Sequence, residues 1–327
     1  MHVLITGAAG MLGRKLGARL AAEGGVDGRP IDRMTLTDIV IPEVPAGAPF
    51  AVAAAAGDLS APGAAAAAAA SRPDVIFHLA AVVSGEAEAD FEKGYRVNFE
   101  GTRALLEAIR LAGGGYRPKL LFASSIAVFG APFPHAISDD FFLTPLTSYG
   151  TQKAICELLL ADYARRGFLD GVGIRLPTIV VRPGAPNKAA SGFFSGIIRE
   201  PLAGAEAVLP VAEDVRHWFA SPRAAVGFLV HAAALPHEAV GARVNLTMPG
   251  LSCTVGEEIA ALVRVAGPGV ADRIRRAPDP MIERIVAGWP QNFEASRALA
   301  LGFRADASFE DIVRAHIEDE LGGRVAA

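Results

Sequence analysis

The opening of the chain constrains its fold more than any other stretch. Val3-Leu4-Ile5-Thr6-Gly7-Ala8-Ala9-Gly10-Met11-Leu12-Gly13 reads as an apolar strand, a glycine-punctuated turn and the first residues of a helix. Gly7 permits the tight turn, Gly10 lets backbone approach a pyrophosphate, and Gly13 lets the helix pack closely on the strand. The helix N-terminus, with Met11 and Leu12 in its first turn, then presents unpaired N–H groups and a positive dipole end to the phosphates. No Gly-Lys-Ser/Thr ending follows, which separates this loop from the phosphate loop of nucleoside triphosphatases.

The first half of the chain repeats that rhythm. Strands are predicted over residues 3–6, 34–37, 50–55, 75–79, 120–123 and 173–181, with helices over 12–23, 64–70, 100–112 and 149–165. The alternation predicts an α/β protein with a doubly wound parallel sheet of the Rossmann type. Near-continuous apolar strands such as Val75-Ile76-Phe77 are what burial on both faces requires. The alanine tract from Ala64 to Ala70 is read as a crossover helix, alanine being the best helix former. Past Val181 the rhythm changes, and Pro183, Pro186, Pro201, Pro210 and Pro222 punctuate the chain. One late strand, 244–246, is predicted to return to the sheet, and short helices over 255–265 and 309–321 follow. The expected division is a cofactor domain over residues 1–180, also receiving 219–249, and a smaller substrate-binding lobe built from 181–218 and 250–327.

Composition narrows the classes further. With 51% apolar and 20% charged residues the chain lies far from the disordered range, and a net charge of −4 gives no support to a nucleic-acid or membrane partner. The mean hydropathy of +0.33 comes from dispersed alanine; no apolar run reaches the roughly 18 residues a membrane span needs. A strand starting at Val3 leaves no signal peptide before it, so a cytoplasmic location is expected. Cys156 and Cys253 suit neither a disulfide framework nor a zinc knuckle, and the histidines lack metal-ligand spacing, so no metal is expected.

Two acidic residues follow the glycine loop. Asp38, at the end of the second strand, is placed to accept bonds from ribose hydroxyls and to repel a 2′-phosphate, which favours NAD over NADP. Asp58-Leu59, past the third strand, is placed for the adenine edge; a helix N-cap is the other role open to Asp58. Further on, Tyr149-Gly150-Thr151-Gln152-Lys153 sets Tyr149 and Lys153 on one face of a helix. A phenol with an ordinary pKa near 10 is a poor base, and a neighbouring ammonium and an oxidised nicotinamide would both favour its phenolate. Ser124 and Ser125 lie at the C-terminal end of a strand, the edge where doubly wound sheets hold ligands. Tyrosine, lysine and serine together suit removal of a proton from an alcohol while hydride leaves its carbon.

These residues resemble the extended short-chain dehydrogenase/reductase superfamily, also described as the NAD-dependent epimerases and dehydratases. The resemblance runs over nearly the whole chain. It implies that Gly7, Gly10 and Gly13 hold the cofactor and that His78-Leu79-Ala80-Ala81 is the fourth-strand motif lining it. By the same resemblance Asn98 is a structural and proton-relay residue, Tyr149 the general base, Lys153 its lysine, and Ser125 the catalytic serine, with Ser124 the fallback. Pro177 falls where the superfamily contacts the nicotinamide end. The resemblance also implies a homodimer built on helices 100–112 and 149–165, whose apolar faces carry Leu105, Leu106 and Ile109, and Ile155, Leu158 and Leu159. From sequence these are equally good core helices.

Many members of the superfamily act on nucleotide sugars, and this chain departs from them. Val215-Arg216-His217-Trp218-Phe219-Ala220-Ser221-Pro222-Arg223 keeps the arginine of their Arg-Asp-Tyr-Ile-His-Val-x-Asp segment but has Ala220 and Arg223 where a histidine and an aspartate usually stand. Their late Arg-Pro-Gly-Asp loop is missing. Segments 148–157, 175–184 and 190–202 instead resemble the D-erythronate dehydrogenases, which implies oxidation of a small sugar acid at C2 with NAD. The substrate carboxylate then needs a cation. Arg216 is the first candidate, with Arg182 and Arg199 competing, and Ser84, Thr178 and Ser191 as supporting donors. His135 and His217 could also reach the substrate. Other readings are a nucleotide-sugar epimerase or dehydratase, a threonine-type dehydrogenase, and a non-catalytic dinucleotide sensor; the Tyr149–Lys153 pair argues against the last.

Overall fold

The computed structural model describes residues 1–184 and 190–326, so Pro186 lies outside the described residues. One seven-stranded sheet dominates it. Its strands are β1 (His2–Thr6), β2 (Arg33–Asp38), β3 (Ala51–Ala56), β4 (Val75–His78), β5 (Lys119–Ser125), β6 (Asp170–Leu176) and β7 (Asn245–Thr247). They lie in the order β7-β6-β5-β4-β1-β2-β3, and all their pairings are parallel. The order reverses between β1 and β4, whose ends Thr6 and His78 stand side by side. That reversal opens the crevice in which such sheets bind ligands.

The helices that matter here are α1 (Met11–Glu23), α2 (Ala64–Ala70), α3 (Gly101–Leu111), α4 (Ser148–Arg165), α5 (Gly192–Leu202), α6 (Pro222–Ala234), α7 (Val255–Ala266) and α8 (Phe309–Glu320). The alanine tract is the helix expected of it. On α3, Leu105, Leu106 and Ile109 are buried within this chain's own core. That apolar face is therefore a core face. On α4, Leu158 stands 66% exposed.

The connection after α1 gains structure that the sequence pattern did not predict, and one predicted strand is corrected. The long connection after α1 contains a short hairpin, Gly25–Val26 against Arg29–Pro30, turning at Asp27 and Gly28, both with positive φ. The predicted strand over 173–181 is two strands in two sheets. It breaks at Pro177, which has no N–H to continue a ladder. Beyond it, Thr178–Ile179 pairs with the end of Arg216–Ala220, which in turn pairs antiparallel with Leu251–Thr254. This three-stranded sheet belongs to a second core, formed by Val180, Phe194, Ile197, Phe219, Leu262 and Phe309 among others. No helix among the described residues is long and apolar enough to cross a membrane.

Candidate active site

The glycine loop fits a dinucleotide by what it leaves out. Gly7 has φ +72°, and a Cβ there would sit 2.6 Å from the backbone of Leu79 and Ala80 at the end of β4. A Cβ on Gly13 would run into Gly7 O and Ala8. The first intrahelical bond of α1 is from Arg14 N to Gly10 O. Gly10, the N-cap, has no side chain to cap the turn, and no acidic residue occupies it. The N–H groups of Met11, Leu12 and Gly13 therefore lack the usual cap, as an anion site requires. Asp38 accepts from Ala9 N at 2.9 Å and from Ile39 N at 2.7 Å, which fixes its carboxylate beside the loop. Asp58 accepts from Ser60 N and Oγ, which holds its carboxyl below the usual range. The residue capping α2 is Gly63, so Asp58 closes a turn instead of capping that helix. Leu59 packs partly against the main core.

Tyr149 reaches Ser125 because α4 starts hard against the loop after β5. A Cβ on Gly150 would collide with Ala127 O, so only glycine lets that helix start so close. Thr147 Oγ1 caps the helix by accepting from Gly150 N at 3.1 Å. Ser125 Oγ accepts from Ala127 N at 3.1 Å and acts on the Tyr149 phenol, lowering its pKa. Successive residues of a strand face opposite ways, and Ser124 Oγ accordingly donates into the interior, to Glu157 Oε1 at 2.5 Å. Of the two serines, Ser125 is the one beside Tyr149.

Lys153 is buried, donates to Ala123 O at 2.8 Å, and lies 4.7 Å from the Phe122 ring centroid and 5.7 Å from that of Tyr149. Burial lowers its pKa to about 8. Burial raises the Tyr149 phenol, and the Arg182 guanidinium and Ser125 pull it back. The cation coupled to the phenol in this structure is thus Arg182. Sequence reasoning considered Arg182 only as a carboxylate ligand; the break at Pro177 carries it to the tyrosine. His78 bonds Thr6 Oγ1 at 2.7 Å and Thr102 Oγ1 at 2.9 Å, and burial drops its pKa to about 3, so it is neutral. Asn98 donates to Val82 O and Gln152 Oε1 and accepts from Val82 N, tying the loop after β4 to α4.

On the lobe side, Arg182 donates to Ser191 Oγ at 3.2 Å and to Ile179 O at 3.0 Å. Thr178 Oγ1 lies 2.6 Å from His217 Nε2. The His217 ring is buried, stacked on Phe194 at 5.3 Å and tilted against Trp289 at 5.4 Å, and burial lowers its pKa to about 4. The first-choice arginine is engaged elsewhere. Arg216 donates to Ser252 O at 2.7 Å and pairs with Glu257 at 3.3 Å, because strand alternation turns it away from its neighbour His217. Arg199 donates to Arg182 O and pairs with Glu200, so it supports Arg182 from behind. Ser84 opens a short helix after the β4 loop, and Pro177 is buried at the end of β6. His135 is exposed.

A glycine cradle at the switch point of a parallel sheet, with a tyrosine, serine and lysine at its edge, defines a nicotinamide-dependent oxidoreductase. The sequence profile of the NAD dependent epimerase/dehydratase family matches residues 3–243, and the chain belongs to that family. It is 52% identical over 324 residues to a D-erythronate dehydrogenase of Cupriavidus necator, covering 98% of each chain. It is 42% identical to a D-erythronate dehydrogenase of Haemophilus influenzae, covering 98% of this chain and all of the relative. A crystal structure described as a nucleoside-diphosphate-sugar epimerase from Agrobacterium tumefaciens superposes with a TM-score of 0.98 at 63% identity, covering 100% of this chain and 96% of that one.

Proposed function

We propose that the chain oxidises a small sugar acid at its C2 alcohol with NAD, converting D-erythronate to 2-oxo-D-erythronate. The observation that carries this reading is Arg182, held by Ile179 O and Ser191 Oγ where its charge lowers the Tyr149 phenol, a cation for an acid substrate beside a base for its alcohol. Two full-length relatives bearing that activity in their names supply the four-carbon acid.

Bound NAD supplies the hydride acceptor. Gly7, Gly10, Met11, Leu12 and Gly13 would hold its diphosphate, Asp38 its adenosine ribose, and Asp58 and Leu59 the adenine side. Leu79, Ala80, Ala81, Asn98 and Pro177 would line the nicotinamide half, with Lys153 on its ribose. Tyr149 takes the C2 hydroxyl proton, and Ser125 hydrogen-bonds the same oxygen. Arg182 holds the carboxylate with Ser191 and Ser84. Arg182 also lowers the cost of the phenolate, so one cation serves both substrate and base. The enzyme works as a homodimer, with Leu158 of α4 at the contact.

The test is NADH formation by the purified protein with NAD or NADP and D-erythronate, its stereoisomers and L-threonine. Rapid, NAD-specific turnover of D-erythronate is expected. Silence with every acid, together with tightly retained NAD and no net NADH, would favour the nucleotide-sugar reading that the Agrobacterium structure's description suggests.

A further inference from the structure

We infer that His217 fixes the polarity of the Thr178 hydroxyl, so that Thr178 meets the substrate as a hydrogen-bond acceptor and reads a substrate hydroxyl. The inference rests on the proposed sugar-acid site and names what one wall of it recognises. A neutral imidazole carries one proton, and the nitrogen that holds it is set by what each nitrogen faces. His217 is 3% exposed and enclosed by Phe194, Phe219 and Trp289, where a charged ring would be costly. Its Nδ1 is buried without a well-aligned partner and faces the Pro290 carbonyl. A lone pair aimed at that carbonyl would be repelled, so the proton belongs on Nδ1. Nε2 is then an acceptor, and the short contact to Thr178 Oγ1 requires the threonine to donate its only proton.

Thr178 is left with lone pairs alone. A carboxylate has no proton to give and cannot pair with them, whereas an alcohol can. Thr178 therefore does not join Arg182 and Ser191 on the carboxylate, as a supporting donor would. Ser191, by contrast, accepts from Arg182 and keeps its own proton for the substrate. Thr178 lies two residues past Leu176, which pairs with Ser125, and Arg182 donates to the neighbouring Ile179 O, so the Thr178–His217 pair stands beside the catalytic serine and tyrosine. The wall distinguishes a polyhydroxy acid from a plain 2-hydroxy acid.

Two measurements test this on the full-length protein. Nitrogen NMR of protein labelled at histidine, with the His217 signal identified by its loss in His217→Phe, should show Nδ1 protonated and Nε2 bare. The opposite tautomer overturns the inference whatever the substrate proves to be. Thr178→Val should raise KM for D-erythronate about tenfold with kcat nearly kept. It should leave binding of D-2-hydroxybutyrate, measured as substrate or competitive inhibitor, unchanged. Thr178→Ser should restore the discrimination. Equal losses for both acids would overturn the hydroxyl reading. Failure of the wild-type enzyme to use either acid would count against the proposed function, and the tautomer would still decide the polarity of Thr178.

Discussion

Glu157 and Glu258 are both fully buried, and the two halves of the molecule treat them in opposite ways. Under the sheet edge, Glu157 accepts from Ser124 Oγ, from Arg175 Nε at 3.0 Å and from Arg175 Nη2 at 2.7 Å. Arg175 lies over the Phe129 ring and reaches toward Thr247. In the lobe, neither oxygen of Glu258 has a partner, and burial raises its pKa well above 4.5, so it stays protonated. The difference teaches where precision is needed. Glu157 ties α4 to β5 and β6, the elements that carry Tyr149, Ser125 and Pro177, and a charge held by directional bonds fixes them in register. Glu258 fills space beside the second core, where a neutral acid suffices.

The largest effect should come from the chemistry that the paired network supports. Tyr149→Phe should lower kcat about 10³-fold while NAD binding, followed by quenching of protein fluorescence, is kept. Normal turnover in that variant would remove Tyr149 from the mechanism. Next, Glu157→Ala leaves Arg175 buried without its counter-charge and should cost about 3–5 kcal/mol in denaturant unfolding. A loss below 1 kcal/mol, the scale of an exposed pair, would erase the contrast between the two glutamates.

Arg182→Met should raise KM for the sugar acid about 30-fold, the scale of a hydrogen bond to a charged group. It should also move the acid limb of the pH–rate profile to higher pH, because the base loses the cation that lowers its pKa. An unchanged KM would return the carboxylate to Arg216 or Arg199. The smallest effect belongs to Glu258→Gln. The unfolded chain releases the Glu258 proton above about 4.5 while the folded chain keeps it, so wild-type stability falls as pH rises through that window. The glutamine variant has no proton to lose. Its advantage should be absent in acid and grow on the order of 1 kcal/mol by neutral pH. A pH-independent difference between the two proteins would mean that Glu258 finds a partner in solution.

What the sequence disclosed follows the same division. The glycine loop, Asp38 and the Tyr149–Lys153 spacing are local patterns, each within one turn of helix or one strand end, and the structure keeps them together. The choice between Ser124 and Ser125 needed only the two-residue alternation of a strand. Alternation also held the clue that Arg216 and His217 face apart. Arg182 and the Thr178–His217 pair were hidden for a different reason. They meet only because the chain changes sheets at Pro177 and Thr178–Ile179 joins a strand some forty residues later. No window along the sequence contains that contact. Asn98 lies between the cases: its position was legible, but its bonds to Val82 and Gln152 depend on how α4 docks.

The break at Pro177 also separates two kinds of inheritance. Upstream of it lie the glycine loop, Tyr149 and Ser125, the residues proposed to hold the cofactor and take the alcohol proton. Downstream lie Thr178 and His217 on the small sheet, with Arg182 in the segment after Thr178–Ile179 and Ser191 at the N-cap of α5, over a second core. On the proposed reading, a descendant could be refitted to another acid largely by edits downstream of Pro177, with Ser84 the one upstream contact to the carboxylate.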